Sequence, residues 1–231
     1  MKIVDFFSDK GLVREINEDS YLIDKKNNFA IVSDGMGGHE KGDMASSLVI
    51  KEFCKSINEF LQCDISNDIM FQSMLSKYLN NANEDISNKL LRYSKENNIK
   101  DTIGATVAGV YIDKSNSKIA IYHLGDSRVY RIRDNNIIQM TIDHNNDSSN
   151  KNVLAKAIGN FEVFDLDIKV DDYICGDYYL LCTDGISNFI NDEQILDIIT
   201  NNTKDYCDII KNNIYLSGAK DNFTLVIIEA E

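Results

Sequence analysis

The chain of 231 residues carries 37 acidic against 24 basic side chains, a formal charge of −13, with 43% hydrophobic and 26% charged residues and neither proline nor tryptophan. That balance is globular rather than disordered, and its acidity argues against nucleic-acid phosphates or anionic lipid as partners, since both call for Lys and Arg clusters that the sequence lacks. The length fits one large domain or two small ones, ample for a core.

In chain order, Ile3 to Phe7, Tyr21 to Ile23 and Phe29 to Val32 are short apolar runs separated by polar turns, the pattern of strands in an antiparallel sheet. The period then changes. From Gly42 to Leu61, Met44, Leu48, Phe53, Ile57 and Phe60 recur at three- to five-residue steps, and Met70, Met74, Tyr78, Ala82, Ile86 and Leu90 continue them, which predicts two long amphipathic helices. Four runs follow, Thr106 to Ile112, Lys118 to Leu124, Val129 to Ile132 and Ile137 to Thr141, with tight turns between them that predict a β-meander. After the polar stretch Asp143 to Asn152, Phe161 to Val170 and Tyr178 to Cys182 read as strands, Asp192 to Ile199 and Tyr206 to Leu216 as helices, and Phe223 to Ile228 as a last strand. No linker or repeat interrupts this order, so residues 1–231 read as one α+β domain with antiparallel sheets covered by helices.

The five cysteines, Cys54, Cys63, Cys175, Cys182 and Cys207, form no C-x-x-C pair and are odd in number, as expected of reduced thiols in a cytosolic chain. The residues after Met1 lack the apolar core of a signal peptide, and no apolar run approaches the ~20 residues of a membrane helix. The expectation is a cytoplasmic protein with no membrane partner.

One local pattern occurs twice: an apolar strand ending in a hydroxyl residue and then Asp-Gly, at Val32-Ser33-Asp34-Gly35 and Cys182-Thr183-Asp184-Gly185. A strand end fixes the direction of the aspartate, and the glycine permits a sharp turn and close approach to a ligand. Asn17-Glu18-Asp19, Gly125-Asp126-Ser127-Arg128 and Asp221-Asn222 place further carboxylates beside strands. Gathered together, such carboxylates repel one another unless a cation neutralises them. Oxygen ligands suit Mg²⁺ or Mn²⁺, whereas zinc prefers Cys and His, and His39, His123 and His144 show no i, i+4 pair.

Taken in order, the motifs resemble the metal-dependent serine/threonine protein phosphatases of the PPM or type 2C class, in their compact bacterial form. The resemblance spans nearly the whole chain: Gly11 to Ser20 is similar to the opening motif, and Ser33-Asp34-Gly35-Met36-Gly37-Gly38-His39 matches the bacterial Asp-Gly-Met-Gly-Gly signature. Thr102 to Thr106, Gly125 to Arg128, Thr141 to His144, Ala157-Ile158-Gly159, Leu181 to Gly185 and Asp221 to Thr224 follow in the family's order.

What the resemblance implies is a four-layer α/β/β/α sandwich with two Mn²⁺ or Mg²⁺ ions between the stacked sheets. Asp34 would bridge the ions, the Gly35 carbonyl would bind one, and Asp184 and Asp221 the other. Glu18 and Asp19 would orient the shell through water, and Asp126 would help hold a weaker third metal. A water or hydroxide between the metals would attack phosphorus in line while the forked guanidinium of Arg14 holds the phosphate oxygens. The implied substrates are phosphorylated proteins carrying the product of a serine/threonine kinase, and the chain is expected to be a monomer. Arg128 is expected to lean on neighbouring carboxylates.

Three departures mark this chain. Met36 stands where eukaryotic relatives carry a histidine, as in other bacterial members, leaving a metal-bound water or His39 as the acid. Asn188 stands where many relatives have another acidic ligand for the third metal, which weakens that site. The flap between the Asp-His and Ala-Ile-Gly motifs is short, near 145–152, and is expected to open the cleft and alter substrate selection. Two alternatives stay open: a phosphatase of the same fold acting on a partner-switching regulator, and a catalytically silent relative that binds phosphoproteins.

Overall fold

The computed structural model describes all residues except 37–40, 66, 100–101, 146–154, 160–161 and 202–203. Three strands, β1 (Lys2–Asp9), β2 (Asp19–Asp24) and β3 (Phe29–Met36), lead into two helices, α1 (Gly42–Phe60) and α2 (Asp68–Glu96). Strands β4 (Gly104–Ala105), β5 (Val107–Asp113), β6 (Lys118–Leu124), β7 (Arg128–Arg133), β8 (Asn136–Gln139), β9 (Asp167–Asp172) and β10 (Tyr178–Cys182) come next. Helices α3 (Asp184–Ser187), α4 (Asp192–Asn201) and α5 (Tyr206–Leu216) precede β11 (Phe223–Glu229).

The strands form two antiparallel sheets, ordered β1-β11-β10-β7-β8 and β2-β3-β5-β6-β9, with β4 joined to β3. Side-chain alternation makes them a sandwich. On β3, Phe29 and Ile31 pack with α1 and α2, while Ala30 and Val32 face the other sheet. On β11, Phe223, Leu225 and Ile227 pack with α4 and α5, while Val226 and Ile228 face inward. Strands buried on both faces need unbroken apolar runs, which is why these segments lack polar alternation. Helix α1 buries Ala45, Val49, Phe53, Ile57 and Phe60, one stripe at helical spacing, and Asn67 caps α2 by accepting the Met70 N–H. The result is the four-layer α/β/β/α arrangement.

Two expectations change. The four-strand meander is split between the sheets: β5 and β6 belong to one, β7 and β8 to the other, and the chain crosses at Gly125–Asp126–Ser127. A hairpin and a sheet-to-sheet crossing carry the same local turn signal, so spacing could not separate them. The strand expected over Phe161 to Val170 begins only at Asp167; Phe161 itself lies outside the described residues. Its apolar start is tied to α2, where Asn83 Nδ2 donates to the Phe164 carbonyl at 2.6 Å and Leu166 N–H donates to Asn80 Oδ1 at 2.9 Å. Among the described residues no helix is long and apolar enough to cross a membrane.

Candidate metal centre

The topology carries the motif carboxylates to one end of the sandwich. Register pairs Asp19, at the start of β2, with Asp34, near the end of β3. Strands β10 and β11 are antiparallel neighbours, so Asp184 leaves one where Asp221 enters the other. Asp126 sits at the crossing between sheets. Arg14, Glu18, Asp34, Gly35, Asp126, Asp184 and Asp221 line one cleft of about 410 Å³, together with Met36, Thr106, Asn188, Phe189 and Lys220. A larger hollow of about 530 Å³ between β1 and α5 brings Lys2, Lys204 and Lys211 together with Asp5 and Asp208, but it holds none of the motif residues.

Each carboxylate is held by its surroundings. Asp19, behind the cleft, accepts bonds at one oxygen from the Thr183 and Thr224 hydroxyls at 2.8 and 2.7 Å. Its other oxygen, Oδ1, is buried with no hydrogen-bond partner among the described residues. Glu18 Oε1 accepts the Gly42 N–H at 3.1 Å, at the positive end of α1. The Asp34 N–H donates to Thr106 Oγ1 at 2.9 Å, and Asp184 Oδ2 accepts from Asn188 Nδ2 at 3.1 Å. Arg14 Nη2 lies 2.8 and 3.0 Å from the two oxygens of Asp221. The glycines after the aspartates are required by packing: a Cβ on Gly35 would lie 2.0 Å from the Gly42 carbonyl oxygen, and one on Gly185 1.9 Å from that of Asn222.

Crowding these acids together disfavours their charged forms. Burial, opposed by the two threonine bonds and reinforced by the Asp184 and Asp221 charges, lifts Asp19 to about 7. Burial, with Asp184 and Asp143 nearby, likewise lifts Asp126 to about 7. Asp34 is pushed well above the carboxylate range by burial and by Asp19, Asp184 and Asp126, and Asp184 is raised by burial and Asp221. An unpartnered buried oxygen within an all-oxygen donor set fits a hard divalent cation and explains how so many acids are tolerated.

Sequence reasoning missed several participants. The hydroxyls of Thr183 and Ser33 precede both Asp-Gly pairs, a visible signal, yet their use is long-range: Ser33 Oγ donates to the Thr106 carbonyl at 2.6 Å. The histidines, expected to form no set, are brought partly together: His123 and His144 stack with centroids 4.6 Å apart, and Asp167 is the register partner of His123. They do not make a zinc site. His144 Nδ1 accepts the Gly125 N–H at 3.1 Å, so Nε2 carries the proton toward Asp167, and rings only 15° from parallel cannot aim two in-plane lone pairs at one ion. His144 instead brackets the turn before Asp126, its own N–H donating to the Gly125 carbonyl at 2.9 Å. Arg128 pairs with Asp143. His39 lies outside the described residues, as does most of the flap near 145–152.

A two-sheet sandwich with an all-oxygen, acidic cleft at the strand ends has the donor set of a divalent-cation site. Residues 13–211 match the protein phosphatase 2C family, and the chain belongs to it. The serine/threonine phosphatase stp of Listeria welshimeri is 26% identical over 97% of this chain and 94% of its own length. The structure of Mycobacterium tuberculosis PstP superposes with a TM-score of 0.82 at 24% identity, covering 98% of this chain and 96% of that one. A PstP catalytic domain in complex with two manganese ions gives 0.80 at 24% identity, covering 97% and 96%. The chain is a protein phosphatase of the 2C family.

Proposed function

We propose that the acidic cleft is where this chain removes phosphate from phosphoserine and phosphothreonine side chains of cytoplasmic proteins, opposing a serine/threonine kinase. The observation that carries the assignment is the electrostatic deficit: Asp19, Asp34, Asp126 and Asp184 all have raised pKa values, and among the described residues the cleft is lined by only two cations, Arg14 and Lys220. Asp34, the Gly35 carbonyl, Asp184 and Asp221 would hold two ions, with Glu18 and Asp19 ordering the surrounding water and Asp126 contributing to a weaker third position. When bound, the ions neutralise phosphate charge and lower the pKa of coordinated water.

The chain's own groups supply the rest. Arg14 engages Asp221 through Nη2 alone among the described residues, so its remaining N–H donors are available to fork onto two phosphate oxygens. Thr183 and Thr224 hold the Asp19 carboxylate, and Thr106 holds the backbone of Asp34, so both residues are positioned before an ion enters. This complete acid set favours catalysis over silent binding.

The test is hydrolysis of p-nitrophenyl phosphate and of phosphoserine and phosphothreonine peptides with and without Mn²⁺. Turnover of all three is expected only with the ion. Full activity in excess EDTA, or no peptide turnover with Mn²⁺ at any concentration, overturns the assignment.

A further inference from the structure

We propose that Asn222 is the positioning residue for Arg14, fixing the loop between β1 and β2 so that the guanidinium stands over the cleft. This inference rests on the reading of the cleft as the phosphate site. The loop has little apolar anchorage: Leu12 and Val13 are about two-thirds exposed, at 66% and 65%, and the Arg14 side chain is 48% exposed. Its position therefore depends on polar bonds.

Asn222 makes the bonds that bracket Arg14. Its side chain is buried and satisfied in three directions: Nδ2 donates to the Lys10 carbonyl at 3.1 Å and to the Ile16 carbonyl at 2.9 Å, and Oδ1 accepts the Glu18 N–H at 2.9 Å. Lys10 and Ile16 flank Arg14 on either side, so one amide closes the loop across its base. The Asn222 N–H donates to Asp221 Oδ1 at 2.9 Å, the oxygen that also faces Arg14 Nη2 at 2.8 Å. One residue thus sets both the arginine's loop and the orientation of the carboxylate it meets. Two other loop contacts, Leu12 N–H to the Ala219 carbonyl at 2.8 Å and Asn17 Nδ2 to Ser8 Oγ at 2.8 Å, pin single points and do not span Arg14. A buried amide using both N–H donors and its carbonyl cannot be replaced by a shorter side chain without freeing at least one loop carbonyl.

The experiment compares Asn222→Ala, Arg14→Ala and the double variant by p-nitrophenyl phosphate kinetics and by inhibition with inorganic phosphate, at saturating Mn²⁺. Arg14→Ala is expected to raise the phosphate Ki and KM about tenfold or more, and Asn222→Ala is expected to raise both by a similar factor while kcat changes by less than about threefold. Combined, they should add almost nothing beyond Arg14→Ala alone, because removal of the guanidinium leaves nothing to position. The Mn²⁺ concentration for half-activation should stay within about twofold of wild type in Asn222→Ala. An unchanged phosphate Ki, or effects that multiply in the double variant, overturns the positioning role. If Asn222→Ala does not fold, Asn222→Ser is read in the same assay, and failure of both to fold overturns the proposal in favour of a purely structural residue. An Arg14→Ala variant with unaltered phosphate Ki would instead refute the reading of the cleft.

Discussion

Strand β7 and the strand ends of the cleft treat buried and half-buried aspartates in opposite ways. Along β7, Arg128 grips Asp143 through Nε and Nη2 at 2.6 to 3.1 Å, and Arg133 closes on Asp177 at 2.6 and 2.5 Å. Burial works against the Asp177 charge, but Arg133, the Ile174 N–H and the Tyr179 hydroxyl outweigh it and hold the carboxyl below its ordinary range. In the cleft, the same fold gathers Asp19, Asp34, Asp126 and Asp184 and leaves them raised. Asp143 and Asp177 each have an arginine in an ion pair, whereas among the described residues none of the four raised aspartates has one, as the proposed ion site requires.

The largest effect that tests this contrast is at Asp34. Asn at this position is expected to lower turnover by about 10³-fold or more, since it removes a carboxylate proposed to hold the ions, while the metal-free protein becomes more stable at neutral pH. Steady-state kinetics and thermal melts on one preparation check both halves. A melting temperature that falls in the absence of metal would show that the cleft acids are not strained and would dissolve the comparison.

Arg133→Ala asks the converse question. It leaves the buried Asp177 carboxylate without its cation, and a loss of about 3 kcal/mol is expected, near the low end for a broken buried pair because Arg133 is partly solvated. Urea denaturation measures it. A loss no larger than that of an exposed pair, below about 1 kcal/mol, would mean that backbone and hydroxyl donors alone carry Asp177.

The two regions also respond oppositely to pH. Asp19 and Asp126 titrate near 7 in the folded chain and near 4 when unfolded, so between those values only the unfolded state sheds their protons. Metal-free stability should therefore fall as pH rises from about 5 to 7.5, by about 10 °C or more in melting temperature if both groups shift fully, and saturating Mn²⁺ should abolish the slope. Asp177, held below its ordinary value, contributes fully above about 4, and that contribution is lost as pH drops further through the folded value. A metal-free melting temperature that rises from pH 5 to 7.5 would contradict the first of these.

The sequence made the family's motifs and most elements legible because both are local: Lys118 to Leu124, Tyr178 to Cys182 and Tyr206 to Leu216 coincide with β6, β10 and α5 at both ends. It could not show that Gly125–Ser127 carries the chain from one sheet to the other, since that depends on which sheet each flanking strand joins. It identified Arg14 and Asp221 but not their contact, 207 positions apart, nor the role of Asn222, whose partners lie 204 to 212 positions away. The hydroxyl before each Asp-Gly was visible; that Thr183 serves Asp19 rather than its neighbour Asp184 required the packed sheets.

The smallest expected effect comes from a second buried oxygen. Tyr122 Oη, like Asp19 Oδ1, is buried without a hydrogen-bond partner among the described residues, yet it lies in the helix-facing core, with its ring stacked on Phe53 at 5.8 Å and its atoms against Gly109. Its neighbours in that cluster are apolar, Phe53 among them, so its hydroxyl is desolvated without a hydrogen bond in return. Tyr122→Phe keeps the ring and removes only the hydroxyl, and it is expected to stabilise the fold by about 1 kcal/mol or leave it unchanged, with kcat and KM unaltered. Asp19→Asn removes a carboxylate proposed to order the water around the ions, and should weaken Mn²⁺ activation. If Tyr122→Phe instead destabilises by more than about 1 kcal/mol, the hydroxyl has a partner in solution, and lack of a partner in the folded chain would no longer set the cleft apart from its core.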